Sequence, residues 1–224
     1  MNGLLWQLIP LILGNVLVPS QVAITLLLLL RPRGGTAAAV SLIAGIMTMR
    51  VVQGVVFGLI VTGVSAGYDH PLSGPLVYGA FVGLGLLLYA AAIKIALTNE
   101  DPDAPPPKWL TMAGSMSRRL AFGVGCALPL VGAKFWVFTL SAVAAVRDAR
   151  LGYLGTVLAF VLYAALSCAL LIAMVALRVS GTPRSLSLLE GSATWLKHHN
   201  KIVAILLGAV FGTWFLISGL AGLM

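Results

Sequence analysis

Hydrophobic positions in this chain come in long unbroken runs, and the polar residues gather between them. Apolar stretches cover 4–30, 37–64, 76–98, 119–146, 153–177 and 201–223, to within a few residues at each end. A helix rising about 1.5 Å per residue needs roughly 20 residues to cross the hydrocarbon of a bilayer, so each run predicts one transmembrane helix. Barrel strands alternate apolar and polar side chains, a pattern these runs lack. The predicted fold class is therefore an all-α integral membrane protein with six transmembrane helices. Composition agrees: 60% of residues are hydrophobic and 9% charged, far from the averages of soluble domains. No Lys or Arg precedes Arg31, so the first run reads as a retained span and not as a cleaved leader.

Between spans 3 and 4 the pattern changes. The stretch "NEDPDAPPPKWL" at 99–110 holds three of the six acidic residues and four prolines, which predicts an extended loop without a core. It divides the chain into a first three-helix repeat at 1–98, a Pro-rich loop at 99–118 and a second three-helix repeat at 119–224. An odd number of spans per half inserts the two halves upside down relative to one another, the inverted-repeat arrangement of many transporters. The halves also share a local feature: span 1 carries "NVLVPSQ" at 15–21 and span 4 carries "ALPLVGAK" at 127–134. Proline removes a backbone donor and clashes with the preceding turn, so helices 1 and 4 are predicted to break near the midplane, at Pro19 and Pro129. In "TPRSLSLLEGSATWLKHHNK" at 182–201, Thr182 can cap and Pro183 suits a first helical position. An interfacial helix over about 183–198, leading into span 6, is expected there.

Orientation follows from the basic residues of short loops, because Lys and Arg resist translocation. Arg31 and Arg33 follow span 1; Lys108, Arg118 and Arg119 follow span 3; Arg178, Arg184, Lys197 and Lys201 follow span 5. Arg147 and Arg150 stand alone on the other side. These three basic loops are expected in the cytoplasm and both termini outside. The net charge of +8 then faces anionic lipid, and needs no nucleic acid to explain it.

Charge inside the spans is the strongest functional signal. All six acidic residues fall in the predicted loops, whereas Arg50, Lys94 and Lys134 fall in spans. Lys94 lies near a helix end and can snorkel. Arg50 and Lys134 lie 13 and 15 residues from the cytoplasmic starts of spans 2 and 4, on the order of 20 Å deep. A charge at the centre of a span costs at least ~2.5 kcal/mol and finds a partner or a hydrated cavity. No carboxylate is available to them in any span. A neutral Lys134 would be one escape; Arg50 has no such escape, since its guanidinium stays charged. Unpaired cations beside the amino-terminal ends of half-helices at Pro19 and Pro129 make an anion site, with Gln21, Gln53 and Asn15 as neutral hydrogen-bonding partners. Cation transport would call for oxygen ligands and membrane carboxylates.

Other chemistry has little support. Cys126 and Cys168 lie in spans without metal or disulfide spacing and read as packing residues. Together with Ser167 they are the candidate nucleophiles, yet the spans hold no histidine to act as base, and His70 is in an outer loop. No enzyme and no cofactor is expected. His198 and His199, at a basic membrane edge, read as solvated.

Three stretches, "LLLLLRPRGGTAAAVSLIAG" at 26–45, "PPKWLTMAGSMSRRLAFGVG" running on to Lys134, and "WLKHHNKIVAILLGAVFGTWFLISGL" at 195–220, resemble the actinobacterial GAP family of peptidoglycolipid or sulfolipid addressing proteins, in the lysine exporter superfamily. The Asn-Pro-Lys element that this family shows in span 4 stands here as Gly132-Ala133-Lys134, with the proline earlier at Pro129. The resemblance implies export of a cell-envelope glycolipid or related anionic lipid across the inner, cytoplasmic membrane, by six helices in inverted triplets. The favoured reading is a transporter or flippase that passes an anionic lipid head group by Arg50 and Lys134 through alternating access. The alternatives are an accessory subunit of an envelope-lipid export or synthesis machine, and an exporter of a small anion or amino acid.

Overall fold

The computed structural model describes residues 2–66, 73–98, 115–131 and 133–223. The Pro-rich loop at 99–118 therefore lies almost wholly outside the described residues, as do His70 and Gly132. The described chain is helical throughout, as the unbroken apolar runs require: α1 (Asn2–Val16), α2 (Pro19–Leu29), α3 (Gly35–Ala66), α4 (Ser73–Leu97), α5 (Arg118–Val131), α6 (Ala133–Asp148), α7 (Gly152–Leu166), α8 (Ala169–Val179) and α9 (Pro183–Leu223). Gly35–Leu59 of α3 and Lys201–Leu223 of α9 are each long and apolar enough to cross a membrane, and counting each bent pair as one span gives five such crossings. Phe81–Leu97 of α4 is a shorter apolar stretch. The chain is an all-helical membrane protein.

Both expected breaks are present, and each has a local cause. Span 1 divides into α1 and α2, bent by 52°. Val18 is extended at φ −68° and ψ 110° with Pro19 opening the next helix, because a residue before proline is pushed out of the helical region and proline's fixed φ suits a first turn. Span 4 divides into α5 and α6, bent by 76°. Here the expectation needs correcting in register: Pro129 stays inside α5, which ends at Val131. A proline deletes the bond its own N–H would make one turn back, and the helix can persist for a few residues beyond it.

A third break was not expected. Span 5 divides into α7 and α8, bent by 57°, with neither proline nor glycine at the joint. Cys168 N–H donates three residues back to the Ala165 carbonyl at 3.0 Å, the tighter pitch that ends an α-helical run. The expected interfacial helix is continuous with span 6: α9 runs unbroken through Pro183–Leu223. Its start matches the sequence reading, since Ser185 N–H donates to Thr182 Oγ1 at 3.2 Å, a side-chain cap for an otherwise orphaned amide.

Two glycines bring α3 and α5 into close contact. A Cβ on Gly45 of α3 would strike the Phe122 carbonyl, and one on Gly125 of α5 would strike the Leu42 carbonyl, so these backbones approach where only small residues allow it. Elsewhere α4 lies along α9, while α9 also meets α2 and α4 also meets α6. Two apolar cores result. One gathers Leu26, Leu29, Leu42, Ile46, Ala121 and Leu171; the other gathers Leu11, Leu84, Phe138, Val146, Tyr163 and Phe215. One turn beyond Leu11 stands Asn15, and one turn beyond Ile46 stands Arg50, so the boundary between the cores is polar.

Candidate functional site

At that boundary α3 ties the broken helices together. Arg50 and Gln53 are three residues apart and therefore share a face of α3. Arg50 Nη2 donates to Asn15 Oδ1 at 2.9 Å, reaching the last turn of α1. Gln53 Nε2 donates to the Pro129 carbonyl at 3.1 Å, reaching the last turn of α5. One continuous helix thus bonds to spans 1 and 4 beside their joints. The two prolines do different work. Pro19 opens α2 through its ring geometry, whereas Pro129 sits among the last four residues of α5, whose carbonyls have no partner within the helix. Two of those carbonyls are met by side chains, Pro129 by Gln53 and Leu130 by Trp136 Nε1 at 2.8 Å.

The network extends to residues that the sequence reading passed over. Asn15 Nδ2 donates to the Tyr163 hydroxyl at 2.9 Å and to the Leu11 carbonyl at 3.0 Å. Tyr163 in turn donates to the Phe138 carbonyl at 3.2 Å. Thr139 donates to Gln53 Oε1 at 3.4 Å. Tyr163 is fully buried and links α1, α6 and α7; its signal in the sequence was a phenol in the middle of an apolar run. Ser167, at the third break, was weighed only as a nucleophile. Its hydroxyl is buried with no hydrogen-bond partner.

Among the described residues the buried charge at this boundary is positive. Arg50 is 1% exposed. Of the acidic residues, Asp148 and Glu190 are described and both are exposed, so the guanidinium's bonded partner is a neutral amide. Its second terminal nitrogen, Nη1, is buried without a partner. Gln21 is 1% exposed and its Nε2 is likewise unpartnered, although no bond joins it to the Asn15–Arg50 network. Among the described residues, the buried side-chain atoms left without partners are these two nitrogens and the Ser167 hydroxyl. All three can donate a hydrogen bond, and the nitrogens can only donate. Lys134 is the second residue of α6, beside the second break; its side chain lies outside what the structure describes.

At the arginine-rich end of the helices, side chains tie neighbouring segments together. Arg31 Nη1 donates to the Met116 carbonyl at 2.8 Å, and Arg178 Nε donates to the Leu29 carbonyl at 2.8 Å. The second bond places a cation on the last turn of α2, where the helix dipole favours it. Lys94 is exposed near the end of α4. His198 and His199 are exposed on α9, with His199 stacked on Trp195 at 5.0 Å.

Comparison with curated proteins and with solved structures finds no match. A family model does match: that of Sap, the sulfolipid-1-addressing protein, over residues 8–221. The match takes in both halves of the chain, all three breaks and the Asn15–Arg50–Gln53 network, and so the chain belongs to the sulfolipid-1-addressing protein family.

Proposed function

We propose that this protein carries the anionic head group of a lipid, a sulfate or phosphate ester, across the membrane by alternating access, with Arg50 as the central binding residue. The observation that carries this reading is the set of buried donors without acceptors, above all Arg50 Nη1. A fully buried guanidinium held by one neutral amide is unfavourable unless another group completes it. An anionic oxygen at hydrogen-bond distance does so, and charge-assisted bonds to it are about twice as strong as neutral ones. Gln21 and the amino-terminal turn of α2 add neutral donors of the same polarity. Lys134, at the start of α6, is assigned to the same path.

An inverted repeat, the architecture that alternating access would use, draws support from one pair of helix contacts. Under an inverted repeat, α2 and α6 are the corresponding second halves of spans 1 and 4, and α4 and α9 are the corresponding third spans. The pairing of α9 with α2 is mirrored by that of α4 with α6. Two inverted triplets, six spans in all, are the arrangement we infer, with both termini outside the inner membrane. The Arg31 and Arg178 staples would then close the cytoplasmic end. An interior-negative potential assists outward movement of an anion by about 2.3 kcal/mol per charge per 100 mV, so no proton relay is required.

The test uses liposomes containing purified protein and a fluorescent lipid with a sulfate head group, with quenching at the outer leaflet reporting its movement. Wild type is expected to speed the movement, and Arg50→Gln and Lys134→Gln to abolish the gain. Undiminished movement in both variants would overturn the mechanism. No movement by wild type, together with a co-purifying export component, would favour an accessory role.

A further inference from the structure

The Asn15–Arg50 network lies one helical turn beyond a cavity, and aromatic rings occupy the turn between them. The cavity has a volume of about 380 Å³, and α1, α4, α6 and α9 wall it. Its lining includes Leu11 and Ser141, both buried, Phe81 and Trp214, both partly buried, and Asp148, exposed at the end of α6. Four residues along α1 from Leu11 stands Asn15, whose Nδ2 donates to the Leu11 carbonyl at 3.0 Å. Three residues back along α6 from Ser141 stands Phe138, whose carbonyl accepts from Tyr163 at 3.2 Å. By helical rise about 5 Å separates the cavity lining from the network on either helix.

What fills that interval is apolar. Phe138 and Phe215 are fully buried with ring centroids 5.3 Å apart, and Leu84 belongs to the same core. Phe215 in turn meets the two aromatic residues of the cavity wall, Trp214 at 4.8 Å and Phe81 at 5.4 Å. An apolar constriction of this kind holds back water and ions by dewetting. Two contacts couple it to the polar network. The Phe138 carbonyl is held by Tyr163, which also accepts from Asn15. The Phe138 ring is seated on Gly14, where an added Cβ would lie 2.7 Å from it, so the ring abuts α1 next to Asn15. Phe138 also belongs to α6, which starts at the second break. A half-helix that begins at a joint can tilt without rupturing a continuous one, which is how hinges at element ends work.

We infer that Phe138 and Phe215 form a gate between the Arg50 boundary and this cavity, and that the cavity is the water-filled mouth of the path. The inference rests on the reading of Arg50 as an anion site only for what passes; the gate itself is a statement about access. Closed, the two rings keep the guanidinium from water. Tilting of α6 draws Phe138 off Gly14 and joins the network to the mouth.

The experiment measures access with a native thiol. Cys168 is fully buried and within electrostatic reach of Arg50. In full-length protein in lipid nanodiscs, carrying Cys126→Ala, it is labelled with a small, negatively charged methanethiosulfonate and followed by mass spectrometry. Labelling is expected to be slow, whereas Ser141→Cys, in the cavity wall, should label fast. Phe138→Ala and Phe215→Ala should speed the labelling of Cys168 by about tenfold or more, since a dewetted constriction becomes a wet one. Phe138→Leu and Phe215→Leu should speed it by less, and they decide the matter where an alanine variant does not elute as wild type does. Phe57→Ala removes a buried aromatic residue of α3 that packs on Trp136, outside the layer, and should leave the rate unchanged. An unchanged rate in the Phe138 and Phe215 variants overturns the inference. So does an equal rise with Phe57→Ala, or a Ser141→Cys thiol that labels no faster than Cys168. A sulfated amphiphile should slow labelling of Cys168 in Phe215→Ala, and Arg50→Gln should remove that protection. Missing protection with the rates otherwise as expected refutes the anion reading of Arg50 and leaves the gate standing.

Discussion

Replacing Arg50 with methionine should make the empty protein more stable and useless for anions. The side chain is 1% exposed and holds a single described bond, from Nη2 to Asn15 at 2.9 Å. A charge at the centre of a membrane helix costs about 2.5 kcal/mol or more on insertion scales. Methionine has similar reach and no charge, so it recovers that penalty and loses one interhelical bond, a term that averages about 0.6 kcal/mol in membrane bundles. Asn15 keeps its bonds to Tyr163 and Leu11 through Nδ2. The net expectation for Arg50→Met is a gain of about 2 kcal/mol, a rise of several degrees in midpoint. Denaturant titration in mixed micelles, with linear extrapolation, reads it. Saturating sulfated amphiphile should add about 2.7 kcal/mol to wild type at a hundredfold excess over Kd, and nothing to the variant. A loss of about 1 kcal/mol or more in Arg50→Met would make Arg50 a structural brace and refute the reasoning.

Gly125→Val should be among the most damaging small substitutions, since the added carbons meet the Leu42 carbonyl of α3; a loss of about 3 kcal/mol is expected by the same micelle titration. Gln53→Leu removes the bond to the Pro129 carbonyl and the one from Thr139; it should cost about 1 kcal/mol and speed amide exchange around the α5–α6 joint, read by hydrogen exchange with mass spectrometry. Arg178→Gln releases the staple to the Leu29 carbonyl; a cysteine placed at Leu30 should then label faster with a water-soluble maleimide, and an unchanged rate would show that the staple does not hold that end closed.

The fold was legible where one strong physical rule acted alone. Apolar runs longer than a bilayer is thick leave helices as the only economical structure, and every run became helix. Pro19 marked its break to the residue, because an extended residue before proline and a proline at the first helical position reinforce one another. Pro129 marked its break only approximately, because a proline within a helix weakens one bond without fixing where the chain turns. The α7–α8 joint carries neither proline nor glycine to announce it; it falls at the buried Ser167 and Cys168, where the Cys168 N–H bonds three residues back to Ala165. Of the candidate site, Arg50, Asn15 and Gln53 were legible as polar residues with no place in lipid. Tyr163 and Thr139 were not, since a phenol or a hydroxyl is ordinary in a span, and their roles follow from partners on other helices.

Why an arginine should sit at broken helices, and not along a continuous one, has a chemical answer. A continuous helix consumes its own carbonyls and amides, so a polar side chain beside it finds nothing to bond. A break frees acceptors on one side and donors on the other. Here the freed acceptors at Pro129 and Leu130 are taken by Gln53 and Trp136, and the amide oxygen of Asn15 is taken by Arg50. What stays open among the described buried atoms can donate: Arg50 Nη1, Gln21 Nε2 and the Ser167 hydroxyl. Neutral partners have absorbed the acceptors and left the positive end of the network unspent. Among the described residues no carboxylate is buried at this boundary, whereas the Arg50 guanidinium is already aligned by Asn15, which is itself fixed by Tyr163. On the proposed function, the preference of this boundary for an anion would follow from the donors left unused at Arg50 Nη1 and Gln21 Nε2.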